Sequence, residues 1–191
     1  MRVIAGEFKG RRLTGPKDNK ARPTADRVKE AVFSMVQEVL NGAVCADLFA
    51  GTGALGIEAL SRGASFVYFI DKDVDSMEVL KQNLDICKID GLRAAAVKTD
   101  WQRAGKYIKK KCNLVFIDAP YDMCVYYSQI LEMLADQGVL ACGAHIVIER
   151  DSGTGGYELP AGYEILRKKR YGGVGVDLLL YSNKPETDNE C

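Results

Sequence analysis

The sequence is poor in the residues that build metal and disulfide chemistry. Histidine occurs once, at His145 within "GAHIVIE". One imidazole in an apolar strand-like run is far short of a ligand set, so no metal site is expected. The six cysteines (Cys45, Cys87, Cys112, Cys124, Cys142, Cys191) contain no C-x-x-C pair, and five stand in apolar or helical context. They read as reduced structural thiols rather than a disulfide or zinc framework. No apolar segment approaches the 18 or so residues of a membrane span, and "MRVIAGEFKG" lacks the apolar centre of a signal peptide. A cytoplasmic protein without a membrane partner is the expectation. Net charge is absent too: 26 Lys and Arg balance 26 Asp and Glu, which leaves only the distribution of charge to be informative.

That distribution is uneven. Residues 1–29 carry nine Lys and Arg against three Asp and Glu. A second basic run, "RKKR", occupies Arg167–Arg170. Such runs are solvated faces or polyanion-binding surfaces; two of them flanking one domain favour the second. With 191 residues, 47% of them hydrophobic, the chain can bury one substantial core. There is no internal repeat or long linker. The loop "GPKDNKARPT" at 15–24 is the most mobile candidate.

After residue 42, short apolar runs alternate with amphipathic segments. The runs "AVCADLF", "SFVYFID", "RAAAVKT", "CNLVFID" and "GVLACGAHIVIE" have strand length, and "DVDSMEVLKQNLDIC" has helical periodicity. This is the pattern of a doubly wound, mostly parallel α/β sheet. The final "YEILRKKRYGGVGVDLLLYSN" reads as two strands around a glycine turn, an antiparallel hairpin that completes seven strands. Ahead of the sheet, "TADRVKEAVFSMVQEVL" places Val28, Ala31, Val32, Met35, Val36, Val39 and Leu40 on one helical face, with Thr24 as its cap.

The stretch "ADLFAGTGALG" has glycines at 51, 53 and 56, the G-x-G-x-x-G spacing of a dinucleotide turn, and Asp71 follows at the distance of a ribose-binding acid. A nicotinamide fits the spacing, and a ligand-free tight turn would also use these glycines. Asp47 disfavours a pyrophosphate, because its carboxylate stands where phosphate would approach the helix. S-adenosyl-L-methionine keeps the adenosine but replaces the phosphates by a cationic sulfonium and an amino acid, which a carboxylate attracts. The second motif is "VFIDAPYD", with Asp118, Ala119, Pro120 and Tyr121 ending the fourth strand. A capped β-turn would use the same residues. Alternatively, Asp118 and a backbone carbonyl accept the N–H bonds of an exocyclic nucleobase amine, turning its lone pair toward a methyl donor, while Tyr121 stacks on the base.

The chain resembles the RsmD family of bacterial small-subunit ribosomal RNA guanine N2 methyltransferases. The likeness runs through "RVIAGEFKGRRL", "RPTADRVKEAVFSM", "DLFAGTGALGIEALSRGA", "FIDKD", the strand-four motif and "KKRYGGVGVDLLLY". It implies a Rossmann-like class I methyltransferase domain at 24–184, a small basic, hairpin-like RNA-contacting extension at 1–23 and a flexible acidic tail at 185–191. It also implies S-adenosyl-L-methionine as cofactor, S-adenosyl-L-homocysteine as product, and no metal. By resemblance Asp47, Phe49, Ala50, Gly51 and Gly53 line the methionine side, Asp71 the ribose, and Asp100 with Trp101 the adenine, while Asp118 to Tyr121 grip a guanine. Arg22, Thr24 and Arg27 are candidates for the pocket mouth, and Arg2, Lys9, Arg11 and Arg12 for phosphates. The implied partner is 16S ribosomal RNA within an assembled or partly assembled 30S subunit.

One departure stands out. The family pattern is D-P-P-[YF], and here Ala119 replaces the first proline, keeping the carbonyl but freeing φ. The remaining alternatives are an N6-adenine methyltransferase, which also uses D-P-P-Y turns, a nicotinamide oxidoreductase, and a catalytically silent RNA-binding module.

Overall fold

A computed structural model describes residues 1–15, 23–153 and 156–182, with the backbone alone at 23–25, 121, 122 and 124. Its centre is a seven-stranded sheet. The strands are β1 (Val44–Asp47), β2 (Phe66–Asp71), β3 (Ala94–Lys98), β4 (Cys112–Asp118), β5 (Leu140–Asp151), β6 (Tyr163–Tyr171) and β7 (Val174–Tyr181). They lie in the order β3-β2-β1-β4-β5-β7-β6. The first five strands are parallel, and β7 enters antiparallel between β5 and β6. The expected mostly parallel sheet with a C-terminal hairpin is the one observed.

The central strands are buried on both faces, as their unbroken apolar runs require: Leu114 to Ile117 of β4 are all at most 1% exposed. Helices α1 (Pro23–Met35), α2 (Gln37–Leu40), α3 (Ala54–Ser61) and α4 (Val74–Cys87) accompany one side of the chain's core, where Val32, Phe33, Ile57, Leu60 and Leu80 pack on Phe69, Leu114, Phe116 and Val147. The other layer is α5 (Tyr127–Asp136) with the 3-10 turn Trp101–Lys106, where Trp101, Ile130, Leu131 and Leu134 meet Val115, Ile117 and Ile146.

The N-terminal helix differs from its sequence pattern in three respects. It breaks at Val36. It starts at Pro23, so Thr24 falls within its first turn rather than at the cap, and proline takes the position where a missing N–H costs nothing. Phe33, absent from the expected apolar face, is fully buried against Phe116 at 5.6 Å between ring centroids, with the Arg62 guanidinium 4.8 Å from its own centroid.

Residues 1–15 form a hairpin-like loop held by the antiparallel bridge Arg2↔Arg12 and the bond from Val3 N–H to the Arg11 carbonyl, 3.0 Å. Its apolar residues Val3, Phe8 and Leu13 are buried in the same core as α3 and α4. Glu58, fully buried on α3, accepts from the backbone N–H groups of Ile4 (2.8 Å) and Ala5 (3.0 Å) and pairs with Lys29 (3.2 Å) and Arg62 (2.7 Å). The segment is therefore part of the core packing. Most of the loop 15–24 and all of the tail 185–191 lie outside the described residues.

Cys45, Cys87 and Cys112 are free and buried, in line with the reading as structural thiols; burial raises all three above an ordinary thiol. Cys142 corrects that reading: it is exposed on β5 and disulfide-bonded, and exposure rather than an apolar context is what makes it accessible to pairing. No helix among the described residues is long and apolar enough to cross a membrane.

Candidate active site

The strand order reverses between β1 and β4, where the connections leave toward opposite sheet edges. In such a sheet the crevice opens outside the carboxyl ends of these strands. A cavity of about 560 Å³ lies there, and a second of about 370 Å³ adjoins it; they share Phe49, Gly51, Ser76, Asp118 and Glu149 and form one groove.

The glycine loop leads from β1 into α3. Gly53 has φ +81°, and a Cβ there would lie 2.4 Å from Leu80 Cδ1. Gly56 faces the Phe69 ring, 2.2 Å from where its Cβ would be. These two glycines let α3 approach the sheet and α4, and neither lines the groove. Gly53, a sequence candidate for the methionine side, is buried, and the direction of its missing side chain is filled by Leu80 and Ile57. Gly51 does line the groove, and its N–H donates to Asp71 Oδ2 at 2.7 Å. The other Asp71 oxygen accepts from Asp73 N–H at 2.9 Å, so the acid at the end of β2 sets the loop's position while forming part of the wall.

Asp47 is 1% exposed. Its Oδ2 accepts from the Gly56 N–H at 3.0 Å, capping α3 from outside the helix. Its Oδ1 is buried with no hydrogen-bond partner among the described residues. Burial, and then the carboxylates of Asp118 and Asp71, push Asp47 up to about 7 against the lowering effect of the Gly56 bond. An orphaned buried acceptor beside the groove suits a ligand bearing N–H donors and positive charge. Phe49 and Ala50 stand beside it as walls.

Across the groove, Asp100 caps the turn that begins with Trp101, accepting from Gln102 N–H at 3.3 Å. Trp101 is 7% exposed, and both residues line the larger cavity with Lys72, Ser76 and Thr99. Lys72 reaches Asp100 at 4.0 Å. Their position, past the end of β3 and beside β2, is where an adenosine held by Asp71 would extend.

Asp118 ends β4 and opens onto the groove, with Ala119 buried beneath it and Pro120 at the rim. The Pro120 carbonyl accepts from Met123 N–H at 2.8 Å, which starts the following turn. Ala119 packs its methyl group into the core layer of α5. The Tyr121 side chain is outside the described residues.

The sequence reading missed Glu149. It ends the "HIVIE" run of β5, is the register partner of Asp118, and lines both cavities. The signal was available, since it stands at the carboxyl end of a parallel strand as Asp118 does. Asp118 is open to solvent at the groove mouth and Glu149 is half-buried beside it. Burial raises both, and repulsion from Asp118 raises Glu149 further. Tyr127 O–H holds the Glu149 backbone carbonyl at 3.1 Å.

The basic candidates are dispersed. Arg2 is exposed and pairs with Asp26 at 3.5 Å, next to the smaller cavity, of which Met1, Asp26 and Lys29 are walls. Lys9, Arg12 and Arg27 are exposed and line neither cavity. Arg11 is committed to the protein: its guanidinium donates to the Ile86 carbonyl and stacks on Phe8. The hairpin tip lies at the opposite end of the sheet from the groove, because Glu7 pairs with Arg93 just ahead of β3 and its N–H donates to Ser61 at the end of α3. The Thr24 side chain and all of Arg22 lie outside the described residues. Among the described residues no acidic, histidine and cysteine cluster could hold a metal ion.

Known proteins share this architecture. The family described as conserved hypothetical protein 95 matches residues 1–180. Ribosomal RNA small subunit methyltransferase D of Escherichia coli (strain K12) is 34% identical over 191 residues, covering 98% of this chain and 93% of that protein. The protein of the same name from Haemophilus influenzae is 32% identical, covering 96% and 94%. The solved structure of yhhF from Escherichia coli matches with a TM-score of 0.83 at 33% identity, covering 96% of this chain and 99% of that one. The chain belongs to the conserved hypothetical protein 95 family, the RsmD family of small-subunit ribosomal RNA methyltransferases.

Proposed function

We propose that the protein is an S-adenosylmethionine-dependent ribosomal RNA methyltransferase that modifies the exocyclic N2 amine of one guanine in 16S RNA. The observation that carries this reading is the pair of acceptor sites along one groove: the orphaned Asp47 oxygen at the glycine loop and the open Asp118 carboxylate at the end of β4. The residues fit the cofactor. Asp47, Phe49, Ala50 and Gly51 would hold its methionine end, Asp71 its ribose, and Asp100 with Trp101 its adenine. When bound, it supplies a methyl group on a positively charged sulfur.

The remaining chemistry belongs to the chain. Asp118 accepts an N–H of the target amine, which orients the nitrogen and stabilises positive charge developing there in the transition state. The stiff end of β4 and the walls Leu48 and Trp101 fix the approach and exclude water. The base enters unpaired or flipped. Phosphates are held at the mouth by Arg2 and Arg27 and along β6, whose Arg167 to Arg170 are all exposed. Arg12, paired with Arg2 across the hairpin, stands at the same end, whereas Lys9 at the tip and Arg11, committed to Ile86 and Phe8, contribute less.

The substrate is the assembled or partly assembled 30S subunit, because so small a chain has little surface with which to select one loop from naked RNA. The test is incubation of protein-free 16S RNA, and of 30S subunits lacking the mark, with labelled S-adenosylmethionine, followed by digestion to nucleosides. N2-methylguanosine, formed faster in the particle, is expected. N6-methyladenosine would transfer the assignment to the adenine reading, and faster modification of free RNA would refute the particle preference.

A further inference from the structure

Glu149 is a half-buried acid on the groove wall that the chemistry above does not use. It is paired in register with Asp118 on adjacent parallel strands, which stand about 4.8 Å apart. Residues two apart on a strand share a face, so Asp118 and Glu149 point to the same side as Phe116 and Val147. Among the described residues no hydrogen bond or ion pair reaches either carboxyl group. The cations nearest the groove are occupied: Lys29 by Glu58 and the Arg2 carbonyl, Lys72 by Asp100. Two adjacent acids without a cation are unfavourable in the free protein unless they share a proton. They become favourable when a ligand brings two adjacent donors.

Among the bases that carry an exocyclic amine, only guanine presents a second N–H donor beside that amine, at N1. Adenine and cytosine present a bare ring nitrogen there, an acceptor that a carboxylate repels. We infer that Glu149 is a specificity-determining residue which accepts the guanine N1–H while Asp118 accepts from the neighbouring N2 amine. This rests on the guanine N2 reading above and adds to it the residue that selects the base. The pair reads the donor–donor edge, which also aligns N2 with the methyl donor. The selectivity has a physical source, since a base lacking N1–H leaves the Glu149 acceptor unpaired once the base has displaced water from the groove.

2-Aminopurine isolates the contact. It keeps the 2-amine that would receive the methyl but has an unprotonated N1. RNA carrying guanine or 2-aminopurine at the target position would be compared at pH 8.5, above the value of about 8 to which burial and Asp118 push Glu149. The wild-type protein is expected to favour guanine in kcat/KM by about a hundredfold or more. Glu149→Gln, whose amide can both accept and donate, should lower guanine turnover by about ten- to a hundredfold and narrow the preference to less than about tenfold. Equilibrium binding of the two RNAs, read by 2-aminopurine fluorescence and competition, should narrow in the same sense, while affinity for S-adenosylmethionine stays unchanged. Equal use of both bases by the wild type, a comparison that needs no variant, would overturn the inference. So would a variant that binds cofactor normally and keeps the full preference. Absence of N2-methylguanosine from the wild-type reaction would instead overturn the underlying reading, and this inference with it.

Discussion

Replacing Asp47 by asparagine separates a charge from a shape. Asp47 is 1% exposed and is pushed up to about 7 by burial, with Asp118 and Asp71 adding repulsion. An acid whose value is higher in the folded state than in the unfolded chain binds its proton more tightly when folded. Its contribution is therefore intact below about pH 4 and is lost as pH rises through 7. The difference between 3.8 and about 7 corresponds to about 4 kcal/mol of stability lost by pH 8.5. Asp47→Asn retains an oxygen for the Gly56 N–H but places an amide N–H₂ where Oδ1 has no partner. That substitution costs about 1 to 3 kcal/mol at every pH. Urea unfolding of both proteins at pH 5 and pH 8.5 should show the variant weaker at the lower pH and equal or stronger at the higher one. The difference between the two proteins should change by about 2 to 3 kcal/mol across the interval, the share of the loss that falls between pH 5 and 7. Titration of Asp118 and Glu149 largely cancels in the comparison. Excess S-adenosylmethionine should reverse the pattern at pH 8.5, because a cation and ammonium donors restore the value of the charged carboxylate. Parallel pH profiles for the two proteins would refute the buried-charge account.

Other perturbations test separate parts of the structure. Asp71→Ala removes the acceptor that orients Gly51 and Asp73, so calorimetry should show cofactor binding weakened by about 1 to 3 kcal/mol. Asp118→Ala should reduce turnover by about two orders of magnitude with little change in cofactor affinity, since its role lies in the transition state. Glu58→Ala leaves Lys29 without its buried partner and frees the N–H groups of Ile4 and Ala5, at a cost of about 3 to 5 kcal/mol in chemical denaturation. Ala119→Pro should be tolerated in a steady-state assay, because the carbonyl is retained and the turn is stiffened.

The parts of this protein that depend on local pattern were legible in its sequence. Strands β1 to β4 are short apolar runs, and the two C-terminal segments around Gly172 and Gly173 form the hairpin they suggest. What could not be read depends on contacts between distant segments. Gly53 and Gly56 satisfy a cofactor spacing, yet Leu80 and Phe69 are what exclude a Cβ there. Asp47 looked like a charge placed for a ligand, and only its burial shows that the charge is incomplete near pH 7 without one. Glu149 resembled the end of a core strand until its register with Asp118 was known.

Register also reorders the basic surfaces, which the sequence weighted by charge density. The N-terminal hairpin is the denser of the two, but its tip is tied to Arg93 and Ser61 at the end of the sheet away from the groove. On the other flank, Val176 is the shared partner of Glu149 and Lys169, so Lys169 stands level with the acid pair, two strands or about 10 Å away. Opposed residues project to the same face, and a period of two places Arg167 and Lys169 together on the face of Asp118 and Glu149. In the proposed arrangement, an RNA strand delivering a base to that pair would meet β6 before Lys9. Changing Arg167 and Lys169 together to Ala should therefore raise the KM for RNA and reduce the slope of log affinity against log salt by about one to two. Changing Lys9, at the hairpin tip, should alter both less. The comparison is run at several salt concentrations, with cofactor affinity as the control. A larger effect from Lys9 would show that the RNA crosses the opposite end of the sheet.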